Sequence, residues 1–160
     1  MAHDQQRNTR DRGPHRQPEP RRPERVEELF PDYLHEGYFD GDRLRGEFLE
    51  RTRMDPLARA MAFAHPALTS HQVRRFFQHC RRIQARLRAG STWPEEEADF
   101  RKIDAFAADA RAKAKAPPIF EDFVRRNVVA VRDERDFTKG FMAHFEALLG
   151  FGARHFRERR

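Results

Sequence analysis

One cysteine, one tryptophan and two tyrosines occur in the 160 residues of this chain. A lone thiol cannot close an internal disulfide, and Cys80, set among Phe76, Phe77 and Ile83, reads as a core filler rather than a nucleophile. No apolar run is long enough for a signal h-region or a membrane span, so we expect a soluble, cytoplasmic protein with no membrane partner. Phosphate loops, metal-ligand spacings and a nucleophile beside a base are also missing, which leads us to expect no catalysis, no metal and no cofactor. The eight histidines are scattered. His71 and His79 have no carboxylate on their own segment to complete a metal site. His144 and Glu146 would point in different directions on a helix, and we assign them no role.

The most telling absence is local. From Ala67 to Pro94 there is no acidic residue, yet six arginines (Arg74, Arg75, Arg81, Arg82, Arg86, Arg88) occur there. The whole chain has 32 basic and 26 acidic side chains, a net charge of +6 that favours nucleic acid or another polyanion as partner. Thr69 followed by Gln72 has capping-box spacing, and Gly90 supplies a stop, so the spacing predicts a helix over about 70–89. On that helix the arginines span roughly 160° of the surface, while Val73, Phe76, Phe77, Cys80, Ile83 and Leu87 fill about 120° opposite. Arginines seven apart would lie about 10 Å apart along the axis, a spacing that can track backbone phosphates. A charged outer face is ordinary, but an ordinary one mixes signs; a face with no acid for i,i+4 pairing points to polyanion binding.

The remaining periodicity is helical as well. Residues 1–25 hold seven arginines and four prolines and almost no large apolar side chain, a composition expected of a disordered arm. We expect a single domain over 26–160. Its segments are a helix from Gly41 or Asp42 to about Met54, a second opened by Asp55 and Pro56 and closed by His65-Pro66, and the arginine helix. A fourth, capped by Thr92, carries Phe100, Ile103, Phe106, Ala107 and Ala110 inward, with Glu95–Glu97 leading and Arg111, Lys113 and Lys115 trailing as the helix dipole favours. A fifth opens at Pro118, and a last one after Asp136 carries Phe137, Phe141, Phe145, Leu148 and Leu149. Gly150 and Gly152 leave its end open. No segment alternates at period two, so the fold class is all-α, a compact bundle of about five to six helices. Most of the fifteen phenylalanines fall on inner faces and read as core rather than as stacking platforms.

The run Leu68-Thr69-Ser70-His71-Gln72-Val73-Arg74-Arg75-Phe76-Phe77 resembles the hallmark entry of the small helical subunit of type III-A CRISPR effector complexes, the second member of the Csm series. Phe145-Glu146-Ala147-Leu148-Leu149-Gly150-Phe151 resembles that family's closing helix. Between them the family shows a lysine, a tyrosine and then an arginine; here Arg111 holds the arginine position and no tyrosine precedes it. The resemblance spans about Val26 to Phe156. It implies a non-catalytic protein of antiviral defence whose copies stack along the effector filament and border the channel holding guide RNA (crRNA) paired with target RNA. Its partners would be both RNAs, copies of itself and the other Csm subunits, the backbone subunits and the large polymerase-like subunit, with the chemistry left to those neighbours. The expected RNA-binding residues are Arg74, Arg75, Arg81, Arg82 and Arg86, with Arg111 carried over by the resemblance. An apolar strip near Phe151 and Phe156 would serve self-association.

Two other classes stay open at this point. A helical DNA-binding transcription regulator would read a major groove with the arginine helix, but that helix lacks Asn and keeps Gln78 and Gln84 in its interior. A nuclease would need carboxylates whose removal abolishes a metal-dependent cleavage.

Overall fold

The computed structural model describes residues 17–158; the greater part of the expected arm, residues 1–16, lies outside the described residues. Among the described residues the fold is all-α, with five helices: α1 Arg51–Ala62, α2 Ser70–Arg88, α3 Trp93–Ala112, α4 Pro118–Ala130 and α5 Met142–Gly152. Helix α1 packs on α5 and α3 on α4, while α2 lies against both α3 and α5. Among the described residues no helix is long and apolar enough to cross a membrane.

Three helix starts follow from local chemistry. The Thr69 side chain accepts from the Gln72 backbone N–H, and Gln72 Oε1 accepts from the Thr69 N–H at 2.9 Å. At α3 the Glu95 carboxylate accepts from the Thr92 N–H at 2.7 Å and from the Thr92 hydroxyl at 3.0 Å. Pro118 occupies the first position of α4, where its missing donor costs nothing.

The chain before α1 departs from expectation. No α-helix forms from Gly41 to Glu50. Instead Phe39–Asp40 (β1) and Arg43–Leu44 (β2) pair as an antiparallel hairpin, with Gly41 at φ 59° in its turn, and Gly46–Phe48 makes a 3-10 turn. The two expected helices are replaced by one, since α1 starts at Arg51 and runs through Pro56. The proline removes only the bond to the Thr52 carbonyl, and Thr52 is exposed, where solvent can take that acceptor. The apolar rhythm of Leu44 and Phe48 comes from the hairpin and turn. Tyr33, Tyr38 and Phe48 from this stretch are fully buried and close one side of the core.

At the other end, Asp136–Phe141 forms a π-helical turn that runs into α5. Phe137, Phe141 and Phe145 are all buried, as their periodicity predicts, and Phe137 stacks on Trp93 with centroids 5.3 Å apart. Helix α5 stops at Gly152, and Phe156 folds back onto it so closely that a Cβ at Gly152 would clash with the Phe156 ring. Phe156 is therefore buried and drops out of the apolar strip expected near it, while Phe151 stays half-buried.

Candidate nucleic-acid interface

Helix α2 divides as its sequence predicts. Val73, Cys80, Ile83 and Leu87 are buried and Phe76 and Phe77 half-buried; Phe76 meets Phe120 and Phe77 meets Phe145 edge-to-face. Burial pushes the Cys80 thiol up to about 12, so it stays protonated and unreactive. The six arginines are all exposed.

Their surroundings differ. Among the described residues, no carboxylate pairs with Arg74, Arg75, Arg82 or Arg88, and Arg81 donates to Gln84 Oε1 at 2.9 Å. Arg86 is engaged within the protein. The short turn after α2 sends α3 back antiparallel, so the acids of its first turns face the last turn of α2. Arg86 Nη2 lies 2.7 Å from Glu96 and 2.5 Å from Asp99. Hydrogen bonds to Glu96 and then Asp99 hold the guanidinium pKa above its ordinary value, and Arg86 in turn holds the Glu96 carboxyl below its own. The acid-free rule is thus true along α2 but not across the α2–α3 contact at Arg86, whose pairing gives it a structural task.

The same antiparallel contact places the histidines. His79 Nε2 donates to the Asp99 backbone carbonyl at 3.0 Å, and His71 stays exposed. His144, for which the sequence suggested no role, is buried and bonded to Tyr33 and Phe48. Among the described residues, no group of three His, Cys, Asp or Glu side chains could hold a metal ion.

Between α2, from His71 to Arg82, and the far end of α3 runs a groove of about 700 Å³. Arg75 and Arg82 line one wall, Lys113 and Lys115 the other, and Gln72 Nε2 closes the far end by donating to the Lys115 carbonyl at 2.6 Å. Those lysines are set by the way α3 ends. The Lys115 N–H bonds the Ala110 carbonyl at 2.8 Å and the Ala114 N–H bonds that of Arg111 at 3.1 Å, a Schellman motif with Ala114 at φ 53°. Arg111 is exposed on the last turn of α3 but does not line the groove. Sequence reasoning gave the trailing bases of α3 to the helix dipole and so missed Lys113 and Lys115; the Gly-less helix stop that turns them toward α2 has no sequence signature. Asp109, the acid in this groove, is paired with Lys113 at 2.8 Å.

No curated protein and no solved structure matches the chain. A family model, Csm2 Type III-A, matches residues 51–156, from the first residue of α1 to the buried Phe156. The match starts later than the Val26 suggested by the sequence resemblance and ends at the same residue. It takes in all five helices, the arginine face and the groove, and the chain belongs to the Csm2 Type III-A family, the small subunit of type III-A CRISPR complexes.

Proposed function

We propose that this chain is a non-catalytic subunit that holds guide RNA paired with target RNA by its phosphates, and that its copies stack along the effector filament beside other Csm subunits. The observation that carries the reading is the solvent-facing row of Arg74, Arg75 and Arg82 on one rigid helix, without carboxylate partners among the described residues. Guanidinium forks suit phosphate oxygens, and contacts to phosphate do not depend on base sequence, which suits a guide of variable sequence. Arg81 belongs to the same face, and Lys115 extends it across the groove, where Lys113 is paired with Asp109. Arg111 stands apart from that groove, and Arg86 is occupied by Glu96 and Asp99.

The DNA-regulator reading asks the N-terminal end of α2 to enter a major groove. That end is tied into the protein, with the Ser70 N–H bonded to the Arg157 carbonyl at 3.0 Å and Gln72 to that of Lys115.

The test is RNA binding by the full chain across a salt series. For a single strand, log affinity falls with log salt by about 0.7 per neutralised phosphate, so a double Arg75→Ala, Arg82→Ala variant should flatten the slope by roughly 1.4 at unchanged thermal stability. An unchanged slope overturns the assignment of these arginines.

A further inference from the structure

The sequence places Phe106 on the inner stripe of α3, and the structure does not. Phe100, Ile103 and Ala107 are buried, whereas Phe106 is 46% exposed. Seven-residue spacing puts Asp99, Phe106 and Lys113 on one stripe of α3, drifting only about 20° per step, and that stripe faces α2. Phe106 therefore stands in the cationic groove rather than in the core.

Its surroundings prop the ring without covering it. The His79 imidazole meets it edge-on, with centroids 5.6 Å apart and planes at 90°, and His79 is itself anchored by the Asp99 carbonyl. Among the described residues no arginine or lysine sits over this ring, although four other phenylalanines carry an arginine in that way. The open ring shares the groove with Arg75, Arg82 and Lys115, and with the ion-paired Lys113 and Asp109.

Unpaired cations call for phosphate, but an open aromatic ring beside them adds nothing to phosphate binding. Bases within a duplex are already stacked on their neighbours, so a paired strand gains little from such a ring. An unpaired nucleotide gains both contacts at once, because every base has a face to stack and a phosphate to neutralise. The geometry points to a site for single-stranded RNA in this groove, with Phe106 as the platform on which one unpaired base stacks. The site rests on the RNA-binding reading above and adds a base contact to it.

The experiment uses the full chain and fluorescence anisotropy. Its probes are a labelled oligouridylate of about twelve nucleotides, within the usual site sizes for single strands, the same strand with abasic positions, and a duplex of the same length. Phe106→Ala should weaken single-strand binding by roughly 5- to 100-fold, as loss of one base stack does, and leave the salt slope unchanged. Phe106→Tyr should retain affinity. The abasic strand should bind the unaltered chain as weakly as the intact strand binds Phe106→Ala, and lose nothing further with that variant. Equal affinity of Phe106→Ala and the unaltered chain for the intact strand overturns the stacking site while leaving the phosphate contacts standing. An equal loss on the abasic strand also overturns it, because the ring would then only shape the groove. Absence of salt-dependent RNA binding by the unaltered chain overturns both readings together.

Discussion

Tyr33 and His144 are 111 residues apart in the sequence, and the Tyr33 hydroxyl lies 2.6 Å from His144 Nε2 in the core. His144 Nδ1 faces the Phe48 carbonyl at 2.9 Å, an acceptor only, so Nδ1 carries the proton and Nε2 accepts from Tyr33. Asn127 Nδ2 donates to the Tyr33 hydroxyl and to the Phe123 carbonyl, and its Oδ1 accepts from Tyr38. Every polar side-chain atom of this chain of bonds has a partner, which is what allows four polar side chains to be buried together.

The network makes stability depend on pH. Burial pushes the His144 pKa down to about 4 from its ordinary 6.5, against the hydrogen bond to Phe48. Between those values the unfolded chain binds more protons than the folded one, so the contribution is complete above about pH 6.5 and is lost as pH falls toward 4. Unfolding free energy from denaturant melts should drop by roughly 2 kcal/mol from this group between pH 7 and pH 5. His144→Gln should lack that part of the drop, and identical drops in the two proteins would rule the explanation out.

Gly140 and Gly150 should respond to alanine with opposite signs. A Cβ on Gly140 would lie 2.7 Å from the Tyr38 ring, whose hydroxyl is held by Asn127, so the ring cannot swing away without breaking a buried bond. Gly140→Ala is expected to destabilise by about 1–3 kcal/mol, as overpacking does. At Gly150, inside α5, nothing lies within 4 Å of the added carbon, and alanine should stabilise by about 0.5–1 kcal/mol. Thermal melts of the two variants decide, and a shift of the same sign in both would contradict the packing argument.

Arg86 should behave as a structural residue and its neighbours on α2 as binding residues. Glu96 is buried, and without Arg86 its Oε2 loses its partner while Oε1 keeps the Ser91 hydroxyl at 2.7 Å. Arg86→Ala is expected to destabilise by roughly 1–3 kcal/mol, the cost of stranding a buried acceptor, and to leave the salt slope of RNA binding unchanged. If Arg86→Ala flattens the slope as Arg75→Ala does, the Glu96 and Asp99 pairing does not hold it away from RNA.

How far the sequence carried the reading depended on whether a segment's structure is set locally. Thr69 and Thr92 cap their helices with residues three positions on, so the starts of α2 and α3 could be read directly. The stretch from Val26 to Leu49 takes its shape from partners far along the chain. The Val26 N–H bonds Asp122 at 2.9 Å, and Glu27 pairs with Arg126 at 2.6 Å, neither of which a local pattern shows. The site divides in the same way. The arginine row follows from one helix, whereas the capture of Arg86 by α3, the turning of Lys113 and Lys115 toward α2, and the outward place of Phe106 depend on how two helices meet.

The folding unit should be longer than the family match. That match starts at Arg51, but Tyr33, Tyr38 and the Phe48 carbonyl, all before it, supply partners to Asn127 and His144. A chain begun at Arg51 would lose those partners. It would also uncover the apolar surface that Val26, Phe30, Tyr33, Tyr38 and Phe48 bury, at about 1.5–3 kcal/mol for each large side chain. Together these losses match or exceed the roughly 5–15 kcal/mol that holds a typical domain folded. A chain begun at Val26 keeps all of these contacts, including the bond of its own N–H to Asp122. Thermal melts should therefore show a cooperative transition for the chain begun at Val26 and none for the chain begun at Arg51. A cooperative transition in the shorter chain would mean that the five helices hold their core without the segment that completes the His144 network.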